Sequence, residues 1–402
     1  MWGGAHPTVL MRHGGDSFSL YGDSVMSKLR VPIAKPKPDI RRFLDAMSGR
    51  IVPQRAPMVE YLIDDAVMRP ILENLMGRKW VTTADKVESM SGQMEPSKER
   101  LEVTNAWLDN QIAFWYHMGY DFIRAEVSLP LPAVALVTPD TAKGNEDHNR
   151  AWQGLQEGPI KTWEDFEKYP WPSVSERDFY THQYICDHLP EGMGFITCHA
   201  GGVYEHTSRL MGYEGLCCHL HDDPELVKAV VDRLGGLIRE YNRHLLELDG
   251  LAAIMQGEDL GFKTQTLLSP KDIRTYFLPW HRKYAQMTHA RGKPYYLHSC
   301  GKIDAIMEDL IEEVKIDGKH SFEDGILPIT EAKRLYGHRI CLLGGVDVDK
   351  LARWEPDRLR KHVRRIIDEC SPGGRFAIGA GNSIPSYIPV ENYVTMLDEA
   401  LT

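Results

Sequence analysis

Nowhere in the 402 residues is there an uninterrupted apolar run of the roughly 18 residues that a membrane-crossing helix requires. The opening stretch MWGGAHPTVLMRHGG also lacks the compact apolar core of a secretory signal. The expectation is a cytoplasmic protein with no membrane partner. Concentrated positive charge is scarce as well: 47 basic residues face 57 acidic ones, for a net charge of −10. Binding to duplex nucleic acid needs clustered Lys and Arg to displace counterions, so nucleic acid is not an expected partner. The seven cysteines are an odd number without framework spacing, which suits a reducing compartment and free thiols. Internal repeats and low-complexity tracts are absent too. What is present, 43% hydrophobic and 26% charged residues, is the composition of a folded globular chain and excludes disorder as the main state.

Residues 1–45 mix Gly, Pro and Lys without a sustained period and read as an N-terminal arm. From there to residue 402, short apolar runs alternate with longer amphipathic stretches, the pattern of βα units around a parallel sheet. Candidate strands are Pro57–Ile63, Asp121–Val127, Gly194–His199, Ala252–Gly257, Tyr295–His298, Ile316–His320, Arg339–Gly344 and Arg375–Gly379. Two helices are clearest. Pro224–Leu248 follows the caps Asp222 and Asp223, and Lys271–Ala290 follows Ser269-Pro270; glycines close both, at Gly250 and Gly292. No GxGxxG follows the first strand, so the pattern predicts a single α/β domain, a closed (β/α)₈ TIM barrel over 46–402, rather than an open doubly wound sheet. The polar segments Lys86–Arg100 and Pro130–Pro172 are long for βα connections and are candidate lids or homo-oligomer contacts.

Barrel active sites are built at the carboxyl ends of the strands. The polar residues at those ends are Glu60, Glu126, His199, Glu258, Asp259, His298, Cys300, His320, Glu323, Asp347 and Asn382. Any one of them could equally cap a helix or fill a buried ion pair, because buried polar groups need partners. The sharpest local pattern is Tyr295-Tyr296-Leu297-His298-Ser299-Cys300-Gly301. Residues i and i+2 of a strand point the same way, so an imidazole and a thiol aim into one mouth, a combination suited to zinc. A lone HxC is weak, since a buried cysteine is often just a small hydrophobe. Glu323, after the neighbouring strand, could add an oxygen ligand. The aromatics Trp107, Trp115, Tyr116, Tyr204, Phe262 and Tyr296 could line a pocket, although Trp107 and Trp115 sit on a helix, where packing is the commoner role.

The run Leu297–Gly301, the segment Leu343-Gly344-Gly345-Val346-Asp347, and Gly373 through Pro385 followed by Pro389-Val390-Glu391-Asn392-Tyr393 resemble the uroporphyrinogen decarboxylase superfamily. The resemblance implies a (β/α)₈ barrel and one of three activities: decarboxylation, methyl transfer involving corrinoid proteins or coenzyme M, or cobalamin-independent methionine synthesis. The decarboxylase branch has an Arg-Gln-Ala-Gly-Arg segment at its first strand, where this chain reads Pro57-Met58-Val59-Glu60-Tyr61-Leu62-Ile63-Asp64. The methyltransferase branch is the better match. Its zinc site resembles an HxC pair plus a later cysteine, so His298 and Cys300 carry over, while Ala380 stands at the later position by its Gly-x-Gly context. The methionine synthase pattern adds a Glu, for which Glu323 is the counterpart.

The resemblance therefore implies a corrinoid-dependent methyltransferase of the O-demethylase type, with His298, Cys300 and Glu323 as zinc ligands. Glu258, Asp259 and His320 become candidate acids, and Glu60, His199 and Asn382 substrate contacts. The chain lacks a DxHxxG cobalamin motif, so the cobalamin or other corrinoid would arrive on a partner protein. The substrate would be a small methylated molecule such as an aryl methyl ether. Two alternatives remain open at this point: decarboxylation of a small aromatic or pyrrolic acid, and a barrel that binds a ligand without turnover.

Overall fold

The computed structural model describes residues 29–81, 97–133 and 158–402, together with the backbone of 135–139 and 149–153. Residues 1–28 of the expected arm, most of Lys86–Arg100 and part of Pro130–Pro172 lie outside the described residues. The strands are β1 (Phe122–Arg124), β2 (Ala135–Pro139), β3 (Asn149–Gln153), β4 (Gly194–Thr197), β5 (Leu251–Gly257), β6 (Tyr295–His298), β7 (Gly318–His320), β8 (Cys341–Leu343) and β9 (Phe376–Ala377). β2 and β3 form an antiparallel hairpin within the expected Pro130–Pro172 excursion. The other seven make one parallel sheet in the order β1-β4-β5-β6-β7-β8-β9, curled into a TIM-like arrangement with helices outside.

The expected eighth strand, Pro57–Ile63, is placed but is not a regular ladder. It touches the sheet through isolated parallel bridges, Met58 to Ile378 and Ile63 to Ile384. Val59 N–H donates to the Ile378 carbonyl at 2.9 Å, and Ile378 N–H to that of Pro57 at 2.8 Å. Among the described residues no bridge joins this segment to β1, so the structure shows a seven-stranded parallel sheet with an extended segment lying along its β9 edge, and the expected eight-stranded closure is not formed as a ladder. Pro57 has no N–H to donate to a ladder.

Alternation along the strands separates two cores. An inner cluster holds Val59, Tyr61, Phe122, Ile196, Ala253, Met255, Tyr296, Cys341, Leu343 and Ala377, and Phe43, Ala46 and Met47 join it. Those three lie on the helix Ile40–Met47, capped by Asp39 accepting from Arg42 N–H. The end of the expected arm is thus a plug seated against the barrel interior. Its eight residues are too short to display a period among the prolines that precede them. Arg30 is tied to Asp398 and Ile33 to His117, which fastens residues 29–45 to the barrel.

The helix Pro224–Leu245 follows its expected Asp223 cap. The expected helix Lys271–Ala290 is interrupted: Ser269 caps it, a wide turn occupies Ile273–Phe277, and the regular helix resumes over Leu278–His289. Pro279 explains the break, because a proline cannot donate to the preceding turn. Among the described residues no helix is long and apolar enough to cross a membrane.

Candidate metal centre

Tyr296 belongs to the inner cluster, so His298, two residues on in β6, faces the barrel axis as well. The chain then leaves the strand, and the Cys300 N–H donates to Asp259 Oδ1 at 2.9 Å. That bond draws the loop after β5 toward the loop after β6. Cys300 Sγ lies 3.4 Å from His298 Nε2, and Asp259 Oδ1 lies 3.7 Å from the same nitrogen. Ligand atoms of Asp259, His298 and Cys300 all stand within 4.8 Å of one another, the one such group among the described residues.

The donor set fits zinc. With Zn–S about 2.3 Å and Zn–N about 2.05 Å, two tetrahedral ligand atoms stand about 3.6 Å apart, and an N/O pair stands about 3.4 Å apart. Burial, reinforced by neighbouring His320, holds the His298 imidazole well below its ordinary pKa, so it presents a neutral ring. His298 Nδ1 is 2.7 Å from His320 Nδ1; with the shared proton on His298, Nε2 is left as a free lone pair. Burial, with Asp259 alongside, pushes the Cys300 thiol up to about 12. Without a cation the sulfur is a thiol, and a metal would displace its proton.

The surroundings of the trio are fixed by contacts. Tyr61 lies flat on His298 with ring centroids 3.8 Å apart and planes 10° apart, and its hydroxyl donates to Glu126 Oε2 at 3.0 Å. The buried Arg124 guanidinium pairs with the same Glu126 oxygen, lies 4.7 Å from the Tyr61 ring centroid, and donates to the Met255 carbonyl at 3.2 Å. Asn382 Nδ2 donates to Cys300 Sγ at 3.2 Å, while its Oδ1 accepts from Ser383 N–H. Ser321 Oγ reaches the sulfur at 3.6 Å.

Other expected site residues turn out to have structural partners. Glu258 is buried and accepts from the N–H groups of Tyr204 and Glu205, at the start of the helix Val203–Met211, and from His281 Nε2 at 2.8 Å. His199 accepts from Leu129 N–H at 3.0 Å and faces the Gly201 carbonyl; burial lowers its pKa to about 3. Glu60 lies one residue from Tyr61 and so on the opposite side of its segment. Its carboxyl accepts from Ala380 N–H, and burial raises its pKa well above the usual carboxylate range. Asp347 caps the helix Val348–Arg353 and accepts from Asp324 N–H. Glu323 is partly buried, lines a narrow cleft with Lys319 and Ser321, and does not join the close trio; burial, with Asp347 nearby, raises its pKa.

Ala380 is fully buried in the outer core, and it is Asn382, two residues on, whose side chain reaches Cys300. Of the aromatics, Trp115 packs between Tyr120 and Phe122, Tyr204 against Phe277, and Tyr296 inside the barrel. Trp107 and Tyr116 pack against the outer core, and only Phe262, 60% exposed, stands out into solvent.

Glu205, Tyr61, Arg124 and Ser321 were not singled out from the sequence. Glu205 lies on the helix after β4, accepts from Gly202 N–H at 3.0 Å, and has its pKa raised to about 8 by burial and then by the Asp259 and Glu258 carboxylates. A glutamate three residues after the Gly201-Gly202 pair, at the head of a helix, was the available signal.

The profile of the family described as uroporphyrinogen decarboxylase (URO-D) matches residues 155–401. No curated protein sequence matches the chain. Among solved structures, a methyltransferase from Methanosarcina mazei is similar in fold, with a TM-score of 0.65 at 15% identity over 90% of this chain and 98% of that one. A Listeria monocytogenes chain described as a vitamin-B12-independent methionine synthase has a TM-score of 0.48 at 10% identity, covering 87% of this chain and 97% of that one. With more than half its length matched by that profile, the chain belongs to the uroporphyrinogen decarboxylase (URO-D) family.

Proposed function

We propose that this chain is a zinc-dependent methyltransferase that passes a methyl group from a small methylated substrate, an aryl methyl ether being the first to test, to a corrinoid on a partner protein. The Pro57–Ile63 segment is read as the first strand of its barrel. The observation that carries the proposal is the cluster of Asp259, His298 and Cys300 at the strand ends. Three protein ligands with a further position open are the arrangement of a catalytic zinc. The fold shared with the Methanosarcina mazei methyltransferase is consistent with it.

When bound, zinc supplies Lewis-acid polarisation of the oxygen from which the methyl departs. The chain's own residues do the rest. Tyr61 and His320 fix the His298 ring, and Asn382 and Ser321 orient the Cys300 sulfur. Transfer would break the methyl–oxygen bond with its electron pair left on oxygen; a cobalt(I) corrinoid acceptor would supply the pair for the new bond to carbon, and a proton from the chain would neutralise the leaving oxygen. Glu205, whose carboxyl is pushed up to about 8 by burial and by the neighbouring Asp259 and Glu258 carboxylates, is the candidate donor. Glu258 is committed to a helix end, and Asp259 to the metal.

Methoxylated aromatics incubated with zinc-loaded protein and free cob(I)alamin test the reading. Methyl-cobalamin formation, seen as the spectral change on methylation, is expected. Release of carbon dioxide from an aromatic or pyrrolic acid without methyl transfer would replace it with the decarboxylase reading.

A further inference from the structure

Lys319 is adjacent to His320 in β7, and alternation turns it to the other side of the strand, where it is buried. Its three ammonium protons meet three carbonyl oxygens: Ser299 at 3.2 Å, His320 at 3.3 Å and Ser321 at 2.5 Å. The ammonium also lies 4.4 Å from the centroid of the Phe322 ring. Carbonyls converging on one buried point form a cation site, the arrangement by which proteins coordinate monovalent ions. Here the cation is covalently attached to the chain.

The three carbonyls belong to the ends of neighbouring strands that carry the metal centre. Ser299 lies between His298 and Cys300, and Ser321 follows His320. Ser321 has φ +84°, a left-handed conformation that residues with side chains rarely adopt. That conformation accompanies the Ser321 Oγ contact to Cys300 Sγ and the 2.8 Å bond from Phe322 N–H to the Gly381 carbonyl, next to Asn382. A narrow cleft lined by Gly301, Asp304, Lys319, Ser321, Glu323 and Tyr336 adjoins the ammonium, and its two carboxylates favour a cation there.

We propose that Lys319 is a positioning residue whose ammonium serves as a tethered monovalent cation, holding the ends of β6 and β7 so that Ser321 and Asn382 meet the Cys300 sulfur. Removing the ammonium leaves a carbonyl site that a free small cation fills. Burial lowers the Lys319 pKa to about 8, which still leaves the group chiefly ammonium at neutral pH. The link to the metal rests on the zinc reading above, whereas the carbonyl site does not.

The test compares full-length wild type with Lys319→Met and Lys319→Ala by hydrogen exchange. Segments 298–302 and 319–323 are expected to exchange on the order of tenfold faster in both variants, with the rest of the barrel unchanged. Methylammonium chloride is expected to restore slow exchange in Lys319→Ala, and tetramethylammonium chloride at equal ionic strength is not. Titrated Co²⁺ is the metal probe: its thiolate charge-transfer band should weaken in both variants and recover with methylammonium in Lys319→Ala.

Unchanged exchange in these segments overturns the inference. A wild type that gives no cobalt–thiolate band counts against the zinc reading and leaves exchange to decide the role of Lys319. Should neither variant fold, the wild type still decides. A caged ammonium gives a lysine ¹⁵Nζ resonance that persists at neutral pH with contacts to the Phe322 ring, and absence of that resonance refutes the cage.

Discussion

Tyr61 lies flat on His298, with 3.8 Å between ring centroids, and its hydroxyl is anchored on Glu126. Stack and hydroxyl are separable. Tyr61→Phe keeps the ring and loses a hydrogen bond to a charged acceptor, worth about 1.5–3 kcal/mol, so it should lower unfolding stability in urea while leaving zinc affinity close to wild type. Tyr61→Leu also frees the imidazole to rotate and should weaken zinc binding. Equal zinc affinity in both variants would show that the stack does not orient the ligand.

Asp259 and Glu323 make a second contrast. Asp259 Oδ1 is in the trio, while Glu323 lies beside the cleft. Asp259→Asn should therefore lower zinc affinity by at least the 10- to 100-fold typical of losing a supporting group, and Glu323→Gln by less. Competition against a chromophoric chelator measures both. A larger loss from Glu323→Gln would return that residue to the coordination sphere, as the family resemblance implied.

Much of this was legible in the sequence because strands buried on both faces are written as apolar runs. β6 appears at its expected residues, and the other six strands of the sheet lie within or one residue from their expected runs. The HxC pair was legible because a period of two fixes the shared direction of His298 and the strand end. The place of Asp259 beside the pair was not legible, because it depends on the loop after β5 meeting Cys300 N–H, a contact between segments 41 residues apart. Tyr61 and Arg124 sit inside strand-like runs, where a polar tip cannot be told from packing until the partner strand is in place. The plug helix was hidden by its length, and Ser321 by a backbone conformation that no side-chain pattern announces.

Buried neutral histidines set the acid side of the stability profile. Burial lowers His182 and His199 to about 3 and His206 to about 4. In the unfolded chain each takes a proton below about 6.5, while in the fold each stays neutral. Their contribution is therefore intact above pH 6.5 and lost as pH falls toward 4, at up to about 4 kcal/mol per pH unit for three protons. Among the described residues neither His182 ring nitrogen has a hydrogen-bond partner, so His182→Phe should raise the urea midpoint at pH 5 more than at pH 7.5. Equal gains at the two pH values would contradict the assignment.

Glu205 is raised to about 8 by burial and by the carboxylates beside it. Glu205→Gln keeps the acceptor for Gly202 N–H and removes the transferable proton. Methyl transfer should slow by about 10²–10⁴-fold, with zinc content unchanged and substrate affinity nearly so. A variant as fast as wild type would exclude Glu205 as the proton donor.

The account stands on a metal held by the strand-end trio, and zinc content measured by elemental mass spectrometry tests it most directly. Wild type, dialysed after zinc loading, should retain one zinc per chain, and the His298→Ala/Cys300→Ala double variant, with its fold verified by circular dichroism, should retain none, because two of the three clustered ligand atoms are gone. Stoichiometric zinc in the folded double variant, or none in wild type, would contradict the account.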